Sequence, residues 1–309
     1  MPYSRIGKSL LEFNLEIMQR KILLIISIFV FITFSQTTNA QSKKKSDAES
    51  EGLRGKVKSV KGKYYEETRI FFGLVPIKKE YMDKYKEYNR DGNIIYEEMP
   101  SYHGGDYRER DFYKYNERGD CVESIDSNYE NCNIYTYPCR YEYIYDKQGN
   151  ISEKKWYSYN KLNYNYYYKY DDKGNCIEEL SKGIKDSTFW KDIYIRDTNG
   201  RMIVWERYDR LGDFDSKLVY TLDEYGNRIK EEYYNKEGMK ENETIYFYNY
   251  EHDIIIEIYY NVKPKRTYSY SKIYSYQYDD NFNWIKRIEY NEDMSVKYIS
   301  KRKIEYYDE

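Results

Sequence analysis

Three residue patterns in this chain have the types and spacing for chemistry. The first is a crowding of Asp and Asn beside Gly, as in Tyr88-Asn89-Arg90-Asp91-Gly92-Asn93 and Tyr170-Asp171-Asp172-Lys173-Gly174-Asn175. Clustered oxygen donors suggest calcium, but an EF-hand loop alternates its ligands and closes on a Glu at position twelve. These units lack that ladder, so they read as turns and no metal site is expected. The second pattern is a set of carboxylate doublets, Glu97-Glu98, Glu178-Glu179 and Glu231-Glu232. Glycoside hydrolysis needs two carboxylates facing one sugar, whereas neighbours on a strand point to opposite faces. A doublet alone is therefore no catalytic pair. The third pattern is tyrosine at alternate positions: Tyr164, Tyr166 and Tyr168 share one parity, as do Tyr141, Tyr143 and Tyr145. On a strand such rings stand about 6.6–6.8 Å apart on one face. That spacing suits sugar stacking, and it equally suits cross-strand packing of Tyr on Tyr.

Other reactive residues are few. The chain has 2 His and 4 Cys in 309 residues. His103, beside Gly104-Gly105, and His252, between Glu251 and Asp253, both fall at expected turns, and a zinc site needs a clustered set. Cys121 and Cys176 each follow a repeat glycine by two residues, in copies two apart. In a meander that means four strands, roughly 19 Å, beyond disulfide reach. Cys132 and Cys139 enclose six residues and form the one candidate disulfide, closing a local hairpin. Neither a Gly-x-Ser-x-Gly elbow nor a phosphate-binding loop is present. The expectation is a non-catalytic chain without a cofactor.

The elements that position these residues are written in a repeat. The unit Tyr, Asp or Asn, two variable residues, Gly, then Asn or Asp opens at Tyr88, Tyr115, Tyr145 and Tyr170. Its glycines are Gly92, Gly119, Gly149, Gly174, Gly200 and Gly226, recurring every 25–30 residues. The next step falls on His252, in a poorly matching stretch, and Phe282 stands at the following one. A second glycine comes 12 residues later in three units, at Gly104, Gly212 and Gly238. Asp or Asn opens a type I turn by bonding the backbone ahead of it, and Gly supplies the positive φ of a G1 bulge. Each unit is then two turns and two strands, a period typical of repeat arrays. Alternating Tyr and β-branched residues between turns point to antiparallel strands. The expected fold is all-β: an array of β-hairpins forming one long, twisted and curled antiparallel sheet, open at its edges.

Composition bounds the rest. Tyr numbers 44, charged residues reach 34% and the net charge is -2. Balanced charge argues against nucleic acid as a partner, and 19% aromatic residues argue against disorder. The one apolar run, Ile22–Phe34, follows Arg20-Lys21 and precedes Thr38-Asn39-Ala40. This is the pattern of a signal peptide over 1–40, with Met18 as the better start. The run is too short for a stable span. Residues 41–52 read as a flexible linker and 53–309 as the repeat domain.

The Tyr-Asp-x-x-Gly-Asn units resemble the YD repeats of Rhs-type proteins, and more closely those of small secreted YD-repeat proteins. Leu53-Arg54-Gly55-Lys56-Val57-Lys58-Ser59-Val60 looks like the first strand of that secreted group. The resemblance covers about residues 53–309, weakly over 240–270, and implies hairpin repeats without naming an activity. In large Rhs proteins the repeats wrap a toxin; this array is too short for that. Tyr233-Tyr234-Asn235-Lys236-Glu237-Gly238-Met239 also resembles choline- and glucan-binding repeats, without their Gly-Trp step. Two functions follow as expectations: an extracytoplasmic interaction or structural module with a protein partner at the cell envelope, or a carbohydrate-binding module using Tyr164, Tyr166 and Tyr168 as platforms. The chain is expected to be secreted, periplasmic or cell-surface.

Overall fold

A computed structural model describes residues 45–70, 75–100, 108–130, 133–184 and 189–308. The chain divides into Met1–Ala40 and Gln41–Glu309. The predicted signal peptide, with Met18 and Ala40, lies outside the described residues, as do His103 and Cys132.

The turn unit works as its chemistry dictates. Asp171 Oδ1 accepts the backbone N–H groups of Lys173 and Asn175 at 2.9 and 2.8 Å, and Gly174 N–H donates to the Asp171 carbonyl at 3.0 Å. Gly174 takes φ +80, which completes the type I turn with its bulge. The repeat also runs through the stretch that matches poorly in sequence. His252 at φ 67 and Phe282 at φ 58 occupy the glycine position. Asn249 and Asp279 still capture the N–H groups of Asp253 and Asn283 at 2.9 Å. A left-handed non-glycine residue costs on the order of 1–2 kcal/mol, which the surrounding hairpins must offset.

Between turns the chain runs as strands. The first six are β1 (Val57–Ile70), β2 (Val75–Tyr88), β3 (Ile94–Pro100), β4 (Arg108–Tyr115), β5 (Cys121–Glu130) and β6 (Asn133–Tyr145). Next come β7 (Ile151–Ser158), β8 (Lys161–Tyr170), β9 (Cys176–Gly183), β10 (Phe189–Arg196), β11 (Met202–Tyr208) and β12 (Phe214–Leu222). The last are β13 (Arg228–Tyr234), β14 (Lys240–Tyr248), β15 (Ile254–Asn261), β16 (Thr267–Tyr278), β17 (Trp284–Tyr290) and β18 (Val296–Tyr306). Each pairs antiparallel with its chain neighbours in one 18-stranded sheet.

That sheet is closed, which corrects the expectation of an open one. Val60 of β1 faces Lys86 of β2 on one side and Ile304 of β18 on the other. The twist of successive strands coils the sheet until its first strand meets its last. Closure also pairs the backbone groups that an open edge would leave bare. Because the strands alternate in direction, every second turn, from 89–93 to 279–283, lies at one end, here called the motif end.

Strand alternation then divides the side chains into an inner and an outer wall. On β8, Tyr164, Tyr166 and Tyr168 are half-buried while Tyr167 and Lys169 are exposed. On β6, Tyr141 and Tyr143 are half-buried while Glu142 and Ile144 are exposed. The half-buried tyrosine side faces the lumen, and burial there raises the phenol pKa of Tyr143, Tyr168 and Tyr276. The outer wall carries Lys and Glu in paired rows. Glu243 takes Lys240 at 2.8 Å and Arg266 at 2.7 Å, and Glu232 takes Lys230 at 2.9 Å and Lys240 at 2.7 Å. Mid-strand charges of this kind do not form the apolar band that a membrane barrel turns to lipid. Among the described residues no helix is long and apolar enough to cross a membrane.

The structured part of the stretch read as a flexible linker is a correction. Asp47–Ser50 form a single helical turn, α1, with a full Ser46–Glu49 capping box. Ala48, Leu53, Val57 and Tyr88 bury against one another at the motif end. Asp47 Oδ2 accepts Ile94 N–H at 2.8 Å, and Ala48 N–H donates to the Gly92 carbonyl at 2.9 Å. Ser46 Oγ lies 2.7 Å from where a Cβ on Gly92 would stand. Glycine there serves both the turn and this close approach. The segment is polar in composition, so its docking depends on backbone groups of a distant turn and leaves no periodic apolar signal.

The turn-entry tyrosines acquire a mechanical role. The hydroxyl of Tyr115 donates to the Ile94 carbonyl at 2.7 Å, that of Tyr170 to Ile151 at 2.9 Å, and that of Tyr248 to Arg228 at 2.8 Å. Each acceptor lies two residues past the turn glycine of the preceding repeat. Tyr145 reaches the turn itself, donating to Asp120 Oδ2 at 2.7 Å. At Arg196 the guanidinium takes over, its Nε donating to the Cys176 carbonyl at 3.0 Å. The tyrosine of the motif thus latches one hairpin unit to the one before it.

Candidate functional site

The inner wall across β7–β11 gathers the residues best suited to hold a ligand. Hairpin register fixes them. Tyr164 faces Trp156 on one side and Gly183 on the other. Tyr166 lies between Lys154 and Ser181, and Tyr168 faces Glu179. Trp156 and Tyr164 stack with centroids 5.6 Å apart, and Tyr164 lies 6.2 Å from Tyr166. Lys154 Nζ sits 4.7 Å from the Tyr141 ring and 5.3 Å from that of Tyr166. The small partners Gly183 and Ser181 leave the β9 side of Tyr164 and Tyr166 without a large neighbour. The indole Nε1 of Trp156 is buried and has no hydrogen-bond partner.

Beyond β9 the wall becomes charged. Glu179 faces Asp192 across the strands, and Asp192 faces Arg207. Arg207 forks onto Asp192 at 2.9 and 3.0 Å and lies 4.7 Å from the Trp205 ring and 5.7 Å from that of Trp190. Burial raises the pKa of Glu179, and the Asp192 charge adds to the rise. Tyr194 hydroxyl donates to Glu179 at 3.3 Å. A second inward row runs Glu97, Asp111, Asp126 across β3–β5. There burial and then the Asp126 charge push Asp111 up to about 6. Aromatic faces for C–H surfaces, with carboxylates and cations for hydroxyl groups, are what polar ligand pockets combine.

The sequence-level candidates fall into place unevenly. Tyr164, Tyr166 and Tyr168 do share one face, and it is the inner one. Trp156, Trp190, Trp205, Glu179, Asp192 and Arg207 join them through strand pairing. The two-residue turn Tyr159-Asn160, both at positive φ, pairs Tyr157 with Leu162, and a register shift between Trp156 and Tyr157 then brings Trp156 opposite Tyr164; no local sequence signal marks that shift. The glutamate doublets split as alternation requires, with Glu97, Glu179 and Glu231 inward. The turn residues Gly92, Gly119, Gly149, Gly174, Gly200 and Gly226 all take positive φ. Cys139 is a buried free thiol facing Ser124 and Ser158, while Cys132 lies outside the described residues. Cys121 and Cys176 are also free. Among the described residues no cluster of three metal-binding side chains exists.

Comparison with known proteins gives little to add. No family model matches the chain, and no curated protein matches it. Among solved structures, a porin-like protein from Bacteroides uniformis aligns at 9% identity with TM-score 0.43, over 82% of this chain and 99% of that one. A porin-like protein from Bacteroides vulgatus aligns at 11% identity with TM-score 0.27, over 82% and 99%. A chain of the TcdB2-TccC3-Cdc42 complex aligns at 11% identity with TM-score 0.29, over 75% of this chain and 15% of that chain.

Proposed function

We propose that this chain is an exported, non-catalytic binding module of the YD-repeat type whose inner wall takes a carbohydrate. The observation that carries this reading is the half-exposed pair Tyr164 and Tyr166. Their β9 partners are glycine and serine, Trp156 stacks beside them, and Glu179 and Asp192 lie next in register. Stacked rings that served packing alone would be expected to meet large side chains on both sides. Export rests on the predicted signal peptide, and the repeat type on the turn unit and its tyrosine latch.

A glycan array probed with residues 41–309 tests the reading. Binding of at least one glycan, reduced tenfold or more by Trp156→Ala or Tyr164→Ala at unchanged secondary structure, is the expected result. A clean negative would overturn it in favour of a protein partner. One observation favours that second reading. Tyr96, Phe112, Ile125 and Pro138 form an apolar row across the outer wall of β3–β6. Phe112 is 49% and Ile125 40% exposed.

A further inference from the structure

The motif end holds a cavity of about 460 Å³ between the N-terminal segment and the turns at 249–253 and 279–283. Its size falls within the roughly 300–1,000 Å³ of small-molecule sites. Two guanidinium groups line it. Arg302 lies with Cζ 3.8 Å from the Trp284 ring centroid, and its Nε donates to the Trp284 carbonyl. Arg54 donates from Nη2 to the Glu251 carbonyl at 2.9 Å and stands 6.0 Å from the Phe282 ring. Among the described residues neither guanidinium has a carboxylate within salt-bridge distance. Both therefore keep N–H donors unspent. Burial pulls Arg302 down to about 10, opposed by the nearby Asp253 charge, so it stays a cation at neutral pH. A half-buried cation with no carboxylate in direct contact, held only by the longer-range charges of Asp253 and Asp279, is incompletely compensated, and a carboxylate in the cavity would complete it.

The lining carboxylates are mostly committed. Glu51 takes Lys86 at 2.6 Å and Tyr88 at 2.7 Å, Glu49 takes Ser46 N–H at 2.9 Å, and Asp253 takes the Tyr278 hydroxyl at 2.8 Å. Asp253 Oδ1 and the Glu251 carboxylate remain as acceptors on the cavity wall. They oppose a dianion such as phosphate but welcome hydroxyl donors. Phe282, 59% exposed, offers a flat apolar face. We infer that this cavity binds a small hydroxylated carboxylate, a sugar acid of the hexuronate type, with its carboxylate on Arg302 and Arg54 and its hydroxyls toward Glu251 and Asp253. A planar carboxylate matches the guanidinium fork. The site stands apart from the aromatic wall of β7–β11 and does not depend on it.

Calorimetric titration of residues 41–309 with D-glucuronate tests this, with D-glucose and inorganic phosphate as competitors. Saturable glucuronate binding is expected, with neither competitor matching it. Arg54→Ala and Arg302→Lys should each weaken it at least tenfold, and Tyr164→Ala should leave it unchanged. Thermal melts decide whether Arg302→Lys still folds; if it does not, Arg54→Ala and Phe282→Ala carry the test. Absence of glucuronate binding, equal binding of glucose or phosphate, loss on Tyr164→Ala, or retention in the folded arginine variants would each overturn the proposal.

Discussion

Glu178 and Glu179 are neighbours on one strand, and the two sides of the wall treat them oppositely. Glu178 faces out, where Lys169 and Lys191 hold its pKa down. Glu179 faces in, where burial and then Asp192 push it up. Glu231 and Glu232 repeat the contrast. Burial alone raises Glu231, whereas at Glu232 the ammonium groups of Lys240 and Lys230 outweigh burial and hold it down. The outer wall stabilises charge by pairing it, and the inner wall tolerates charge among aromatic rings at some cost. A sequence in which Lys, Glu and Tyr are mixed throughout is thus sorted by strand parity into two different media.

The contrast exists only while the sheet is closed, so opening it should have the largest effect. A chain ending after Glu232 loses β14–β18 and leaves β1 and a shortened β13 with bare edges. A hairpin array without closure exposes both walls to water, and edges of this length invite aggregation. The expected outcome is loss of the cooperative unfolding transition, followed in urea by the near-ultraviolet dichroism of Tyr. A folded product with a proportionately smaller transition would show that the repeats stand without the ring.

Next in size is the exchange of one ring on each side of a single strand. Tyr168 faces inward between Glu179 and its strand neighbours Tyr166 and Tyr170, while adjacent Tyr167 is 38% exposed outward. Tyr168→Ala should destabilise by about 2–3 kcal/mol, scaled down from full burial of a large ring. Tyr167→Ala should cost less than about 1 kcal/mol. Equal values from denaturant midpoints would erase the inner and outer distinction at β8.

How much of this was legible beforehand follows from the range of each interaction. The turns were, because Asp171 and Gly174 act on backbone within four residues. Strand parity was, because Tyr164 and Tyr166 are local neighbours. Closure was not: the pairing of Val60 with Ile304 joins residues at opposite ends of the domain, and no local pattern encodes which strand is last. The docking of α1 was hidden for the same reason, since it rests on Gly92 and Ile94. His252 and Phe282 masked two turns because tertiary structure holds them in a conformation that glycine prefers. At the candidate site, Tyr164 was visible, but its partners Trp156 and Gly183 depend on register.

Hydroxyl groups separate the walls at a smaller scale. Tyr276, inward, donates to the Ile254 carbonyl at 2.7 Å, latching one repeat to the last. Tyr157, outward, donates to Glu142 at 2.8 Å in the open. Removing a half-buried donor should cost about 1 kcal/mol, so Tyr276→Phe should lower stability by that amount. Tyr157→Phe should lie within error, since exposed polar pairs contribute little. Matching losses in urea titrations would mean that the latch is no stronger than a surface contact.

The smallest effect, and the one with a sign to decide, is the response to pH. Asp111 faces inward opposite Asp126, and its pKa is pushed up to about 6 by burial and then by that neighbour, against an ordinary value of 3.8. Between those two values the folded chain holds a proton that the unfolded chain has lost. Its contribution is therefore full below about 4 and is lost as pH rises through about 6. Glu243 on the outer wall is pulled the other way: burial works against it, but Lys240 and Arg266 hold it at about 2. Its contribution is present above 4.5 and is lost as pH falls toward 2. Inner and outer carboxylates thus give slopes of opposite sign in different windows. Solvent reaching the half-exposed Asp111 limits its share to under about 1 kcal/mol. Asp111→Asn should flatten the decline in stability between pH 4 and 6 and leave the acid limb below pH 4 unchanged. Urea midpoints at pH 4.5 and 7 measure the first, and midpoints at pH 2.5 and 4 the second. An unchanged decline in the variant would mean that water inside the barrel screens Asp111 as fully as it screens the outer wall.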